Sequence, residues 1–213
     1  MTQPTCRLDH LVVVADDLAR GRAWAEERLG IPPGGEGRHA AMATHNVLWG
    51  LGDLYLEVIA PDPAAQPPAR PRWFGLDDPE IRDRLADGPR LLTWAAATDD
   101  LAAVEAAAPL PLETLALERD DLTWEIALTP AAALPLGGAW PLLIRWKTGL
   151  HPARRLALSD PGLRLRELTV AGTGAAATRT SLGAVDPRLN WAPDAGPVRL
   201  SAVIDTPSGV VSV

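Results

Sequence analysis

Residues 8–18 read LDHLVVVADDL, and this run decides the fold. An apolar stretch rich in Val and Leu is the signature of a buried strand. The Asp16-Asp17 pair after it supplies a carboxylate that can accept the free amides of a helix's first turn. One imidazole, His10, stands inside the apolar run. A strand alternates its faces, so Leu8, His10, Val12 and Val14 are expected to share one side. A second run, DLYLEVIA at 53–60, has the same character with one carboxylate, Glu57, on the face of Tyr55 and Ile59.

Between them the helix is expected through about Leu29, with Leu18, Trp24, Ala25 and Leu29 as its buried stripe and Gly30 at the left-handed position that ends it. A weak strand is expected near 36–42. Residues 43–49 and 54–60 form a hairpin across Gly50-Leu51-Gly52-Asp53. With a two- or four-residue loop, Asn46 and Leu48 face the same side as Tyr55 and Glu57; a three-residue loop with a bulge reverses this.

Residues 61–72, PDPAAQPPARPR, carry five prolines and no periodicity, which reads as a linker. A short helix at 79–87 follows. Then the opening plan recurs: a strand at 91–97, a helix start at Asp99-Asp100-Leu101, and strands at 113–119, 122–128 and 142–147. Superposing the two Asp-Asp-Leu triplets sets Thr93 at the place of His10, with Arg145 near the place of Glu57. After His151-Pro152 come a strand at 163–171, a small-residue stretch at 173–184 without a helical pattern, and a closing hairpin at 198–204 and 209–213. Because each helix is followed by hairpins, the class is α+β.

The totals exclude several functions. Net charge is −7 with no basic tract, which argues against nucleic acid as the main partner. A single cysteine, Cys6, rules out an internal disulfide and a CxxC site; it falls in an end expected to be disordered and is a poor nucleophile candidate. No apolar run approaches the roughly 18 residues of a membrane span, and the first residues lack a signal peptide's pattern, so a cytoplasmic protein is expected. GxGxxG, P-loop and GxSxG motifs are absent.

LDHLVVVADDL resembles the first module of the vicinal oxygen chelate superfamily, and GLGDLYLEVIAPD resembles that module's last strand with its acidic residue. The longer string HAAMATHNVLWGLGDLYLEVIAPD, with PLLIRW and HPARR, is similar to the bacterial glyoxalase-like domain proteins of that superfamily. The resemblance implies paired βαβββ modules whose curled sheets, mixed and antiparallel, form a cup. It places a first module at 1–60, a Pro-rich linker and short helix at 61–90, a second module at 91–150, and a C-terminal β-rich extension at 151–213 packed on the same domain.

It further implies a divalent metal ion (Zn, Mn, Fe and Ni are not distinguished) held by His10 and Glu57. Thr93 and Arg145 offer no ligands at the matching second-module positions. Glu167, which aligns with His10 in the third pass, His151 and His45 are the candidates to complete a set that usually needs three. Asn46, Tyr55, Thr93 and Arg145 would line the substrate pocket, Arg145 as an anchor for an anion, with Trp94 and Trp146 beside them. Two functions follow: a glyoxalase-like small-molecule enzyme of lyase, isomerase or dioxygenase type, with His10 and Glu57 as an acid–base pair if no metal binds, or a metal-free protein that sequesters a small molecule in the same cup. The partner is a small molecule, not a membrane, and a homodimer is compatible with this reading.

Overall fold

The computed structural model describes residues 5–130, 132–157, 160–183 and 185–213. The first unit runs β1 (Cys6–Val14), α1 (Leu18–Leu29), β2 (Gly35–His39), β3 (Thr44–Gly50) and β4 (Tyr55–Pro61). After α2 (Pro79–Leu85) the same order returns as β5 (Arg90–Thr98), α3 (Leu101–Ala107), β6 (Glu113–Arg119), β7 (Leu122–Leu128) and β8 (Leu142–Thr148). The repeated Asp-Asp-Leu marks equivalent helix starts. Asp17 accepts from the Arg20 amide at 2.9 Å and Asp100 from the Ala103 amide at 3.0 Å, caps that stabilise by about 1 kcal/mol each. Gly30 ends α1 at φ 73°.

The eight strands make one sheet in the order β2-β3-β4-β1-β5-β8-β7-β6, curled into a half-barrel. In each unit the first and last strands pair in parallel, and β1 and β5 join the units antiparallel. Equivalent units thus meet at a central seam. The outermost strands, β2 and β6, end up at opposite edges of the sheet.

The two faces of this sheet have different cores. On the convex side Leu11, Val13, Leu56, Val58, Trp94 and Leu143 pack against Ala25 and Leu29 of α1 and Leu101 and Val104 of α3. Each fully buried Leu or Val contributes about 1.5–3 kcal/mol. On the concave side Val12, Val14, Ile59, Ala95, Leu142 and Ile144 meet Trp73, Phe74 and Leu76, which follow the Pro-rich segment, and Ile81 and Leu85 of α2. The turn that sets Trp73 and Phe74 there holds Phe74 at φ 59°, a left-handed conformation unfavourable for a bulky side chain.

The remaining residues build α4 (Pro152–Leu156), β9 (Arg164–Ala171), α5 (Ala175–Leu182), β10 (Leu189–Ala192), β11 (Arg199–Thr206) and β12 (Gly209–Ser212). Their four strands form a second sheet ordered β10-β9-β11-β12. Leu168, Val170, Ala202 and Ile204 of that sheet join the convex core.

Four expectations are corrected here. The stretch 173–184 contains a helix, α5, whose Ala175, Thr178 and Leu182 are buried in spite of its weak pattern. Cys6 is not in a disordered end: it begins β1, buried, and burial pushes its thiol up to about 11. Trp94 faces the convex core, not a pocket, and its indole N–H donates to the Ala139 carbonyl at 3.2 Å. Leu8 does not share a face with His10. The β1–β5 register shifts between Leu8 and His10, so Asp9 is an extra residue in β1, and Leu8 joins Leu11 and Val13 on the convex side. No helix among the described residues is long and apolar enough to cross a membrane.

Candidate active site

His10 sits at the middle of β1, between Tyr55 of β4 and Ala95 of β5. Glu57 faces Leu48 across the β3–β4 pair and Val12 across β1–β4. The hairpin loop is four residues long, 51–54, so His10, Asn46, Leu48, Tyr55 and Glu57 all line one cleft on the concave face. Trp73, Phe74, Trp124, Trp146, Leu142 and Ile144 complete the walls around a free volume of about 40 Å³.

His10 is 3% exposed and Glu57 6%. His10 Nε2 stands 3.7 Å from Glu57 Oε2, beyond hydrogen-bond range. The Asn46 amide Nδ2 donates to the other Glu57 oxygen, while Asn46 Oδ1 is buried with no partner. The imidazole of His10 stacks on the Tyr55 ring at 4.5 Å and 15°. Burial, then the Asp9 and Glu57 carboxylates, hold the Tyr55 phenol well above its ordinary value, so it stays protonated.

Asp9, turned inward by the bulge, is the residue that sequence reading passed over. Its Oδ1 lies 2.6 Å from His10 Nδ1, and its Oδ2 accepts from the Trp146 indole at 2.9 Å and from His151 Nε2 at 3.0 Å. Burial alone would raise this carboxyl, but the hydrogen bonds from His10 and His151 outweigh it and hold Asp9 well below the usual carboxylate range. A charged carboxylate only accepts, so His10 Nδ1 carries a proton, and Nε2 is the nitrogen that faces Glu57. His151 caps α4 with its other nitrogen, accepting from the Ala153 amide at 3.2 Å.

The other expected residues fall elsewhere. Thr93 is buried on the concave side but lines a neighbouring hollow with Trp73, Phe74 and Leu142. Arg145 points away from the cleft, because Leu142, Ile144 and Trp146 take the inward positions of β8; its guanidinium pairs with Glu125 at 2.6 Å. The strand pairing sets Ala95 opposite Leu142 as it sets Val12 opposite Glu57, so Leu142, not Arg145, stands at the equivalent of Glu57. Glu167 lies on the second sheet and accepts from Thr169 Oγ1 at 2.7 Å. His45 is paired outside the cleft with Ala60. His151 reaches the site through Asp9, not through Glu57.

Whether these residues suit a metal turns on the donor set. A carboxylate behind the imidazole is the usual support of a metal-ligating histidine, and a 3.7 Å gap accommodates two ligands at about 2.1 Å. A third His, Cys, Asp or Glu donor is missing among the described residues. No group of three or more His, Cys, Asp or Glu residues among the described residues is placed to hold an ion, and the opposite wall presents Leu142, Ile144 and the cation Arg119. His10 and Glu57 therefore do not fit a resident ion that requires three His, Cys, Asp or Glu ligands.

A family model described as "Glyoxalase-like domain" matches residues 8–185. No curated protein sequence matches the chain. Among solved structures, a hypothetical protein from Staphylococcus aureus shares 13% identity over 97% of this chain and 84% of that one, with a TM-score of 0.54. The methylmalonyl-CoA epimerase of Mycobacterium tuberculosis shares 17% identity over 72% of this chain and 95% of that one, with a TM-score of 0.44.

Proposed function

The chain belongs to the glyoxalase-like domain family of the vicinal oxygen chelate superfamily, and on that footing we propose that its cup is the active site of a small-molecule enzyme that works by proton transfer. The observation that carries this reading is the 2.6 Å contact between Asp9 and His10 Nδ1, which leaves Nε2 turned into the cleft toward Glu57. A neutral imidazole oriented by a buried carboxylate is a competent general base.

Glu57 supplies the second proton-transfer group, held by Asn46 on the far side of a small gap. One group removes a proton and the other delivers it, which is the requirement of an isomerase or a lyase acting beside a carbonyl. The Tyr55 hydroxyl, kept protonated, is a third group on the same wall.

A panel of small carbonyl compounds incubated with the protein in D2O tests this by NMR. Deuterium should enter next to the carbonyl of a substrate, and His10→Ala and Glu57→Gln should each slow exchange about 100-fold or more while their melting curves stay cooperative. Exchange that persists unchanged in His10→Ala would refute the assignment. The aromatic lining of Trp73, Phe74, Trp124 and Trp146 favours a second reading, in which the cup sequesters a small molecule. Recovery of a tightly bound compound, unaltered and undeuterated, would select it.

A further inference from the structure

We infer that Arg119 is the anion anchor of the cup, and that the site takes a small organic carboxylate carrying a hydroxyl next to the acid group. This rests on the reading of the cup as a ligand site, and it concerns a residue of the second unit, at the end of β6.

Arg119 comes from one edge of the curled sheet and reaches the other. Its Nη1 lies 3.4 Å from Nε2 of His39, at the end of β2. Those strands are the two ends of the eight-stranded order, so the contact spans the mouth of the half-barrel. The partner is an imidazole, not a carboxylate. Burial, then Arg119 and His10, push His39 down to about 3, so it is neutral and accepts. Among the described residues Arg119 makes no ion pair, in contrast to Arg145, Arg155, Arg164 and Arg188, each of which has a carboxylate. A guanidinium that lines a cleft with no carboxylate bonded to it presents its donor fork to whatever anion enters.

Gly37 shows that space is kept for it. A Cβ at Gly37 would stand 2.2 Å from Arg119 Nη1 and 2.9 Å from Asn46 Oδ1. The guanidinium and the buried, unpartnered amide oxygen of Asn46 therefore converge over one backbone position. An acceptor without a donor is costly when buried. A ligand with a carboxylate for Arg119 and an adjacent O–H for Asn46 Oδ1 satisfies both groups. A free volume of about 40 Å³ limits it to a few heavy atoms.

Lactate, propionate and lactamide are suitable probes, titrated against the intact protein by tryptophan fluorescence, since Trp73, Trp124 and Trp146 line the cleft. Lactate should bind about tenfold or more tighter than uncharged lactamide, the discrimination expected of one hydrogen bond to a charged group. It should also bind tighter than propionate. Arg119→Gln should abolish the preference for lactate over lactamide with an unchanged melting temperature, and Arg119→Lys should restore part of it. Wild-type affinity for lactate in Arg119→Gln, or equal affinity for lactate and lactamide in the wild type, would overturn the anchor; propionate binding as tightly as lactate would overturn the role of the hydroxyl. Deuterium exchange is read separately in the wild type: a preference for lactate over lactamide without any exchange would leave the anion site standing while the proton-transfer reading fails, so the two failures give different results.

Discussion

Asp9 Oδ2 and His151 Nε2 are 3.0 Å apart although 142 positions separate them in the chain. The contact ties the start of α4 to the back of His10. It also fixes a wall of the cup, because Ala153 and Leu156 of α4 pack on Leu48 and Tyr55. The carboxylate is thereby shared between two imidazoles, one inside the cleft and one at its rim.

Asp9→Asn should cost about 3 kcal/mol at neutral pH, as expected for removing one member of a buried charged cluster. Asp9 is held below its unfolded value, so the stability it contributes is present above the ordinary carboxylate pKa of about 4 and is lost as pH falls toward the folded value. Urea denaturation of wild type and variant across this range should show the two converging under acid. A constant difference at all pH values would contradict the assignment.

His39 predicts a second acid-sensitive window. Its folded value of about 3 lies below the ordinary imidazole value of about 6.5, so the unfolded chain binds the proton first and stability falls as pH drops between these limits. His39→Phe should flatten this part of the profile. In a histidine NMR titration, the ring of His39 should show no protonation near neutrality.

Protein incubated with Zn, Mn, Fe or Ni salts and then desalted should retain well below one equivalent by elemental analysis. Chelator should leave its melting temperature unchanged. Stoichiometric retention that is lost in both His10→Ala and Glu57→Gln would show that two protein ligands suffice here.

Gly37→Ala should displace the Arg119 guanidinium without unfolding the protein. The nearest clash, at 2.2 Å, is with the end of a flexible side chain, and the buried Asn46 Oδ1 at 2.9 Å must also give, so the stability loss should be about 1–3 kcal/mol. Lactate affinity should nevertheless drop as in Arg119→Gln. Thermal melts and fluorescence titration of the same sample check both halves.

Much of the fold was legible because its signals are local. The repeated Asp-Asp-Leu announces both helix starts, and the strands at 113–119 and 122–128 have the bounds expected of them. The convergence of His10, Asn46 and Glu57 was legible too, since parity and a four-residue loop decide it. What escaped depends on length and curvature. The bulge at Asp9 has no glycine or proline to mark it. The Arg119–His39 contact requires the sheet to curl until its edges meet, which no local pattern records. Arg145 was misplaced because the chain between β7 and β8 has no counterpart in the first unit, so counting along the repeat loses the phase of β8. His151 was singled out as a candidate metal ligand, and only the packing of α4 shows that it serves Asp9 instead.

The extra residue in β1 also says something about how such a site can arise. Take Asp9 out, and Cys6, Leu8, His10, Leu11, Val12 and Val13 still alternate between the two faces that they occupy now. The strand needs no repair to lose its carboxylate, and needed none to gain it. A single-codon insertion would therefore convert a plain histidine strand into one with a buried acid behind the imidazole, leaving the apolar pattern on both sides untouched. Chains that differ here by one residue in length would share the fold and differ in whether His10 has anything to lean on.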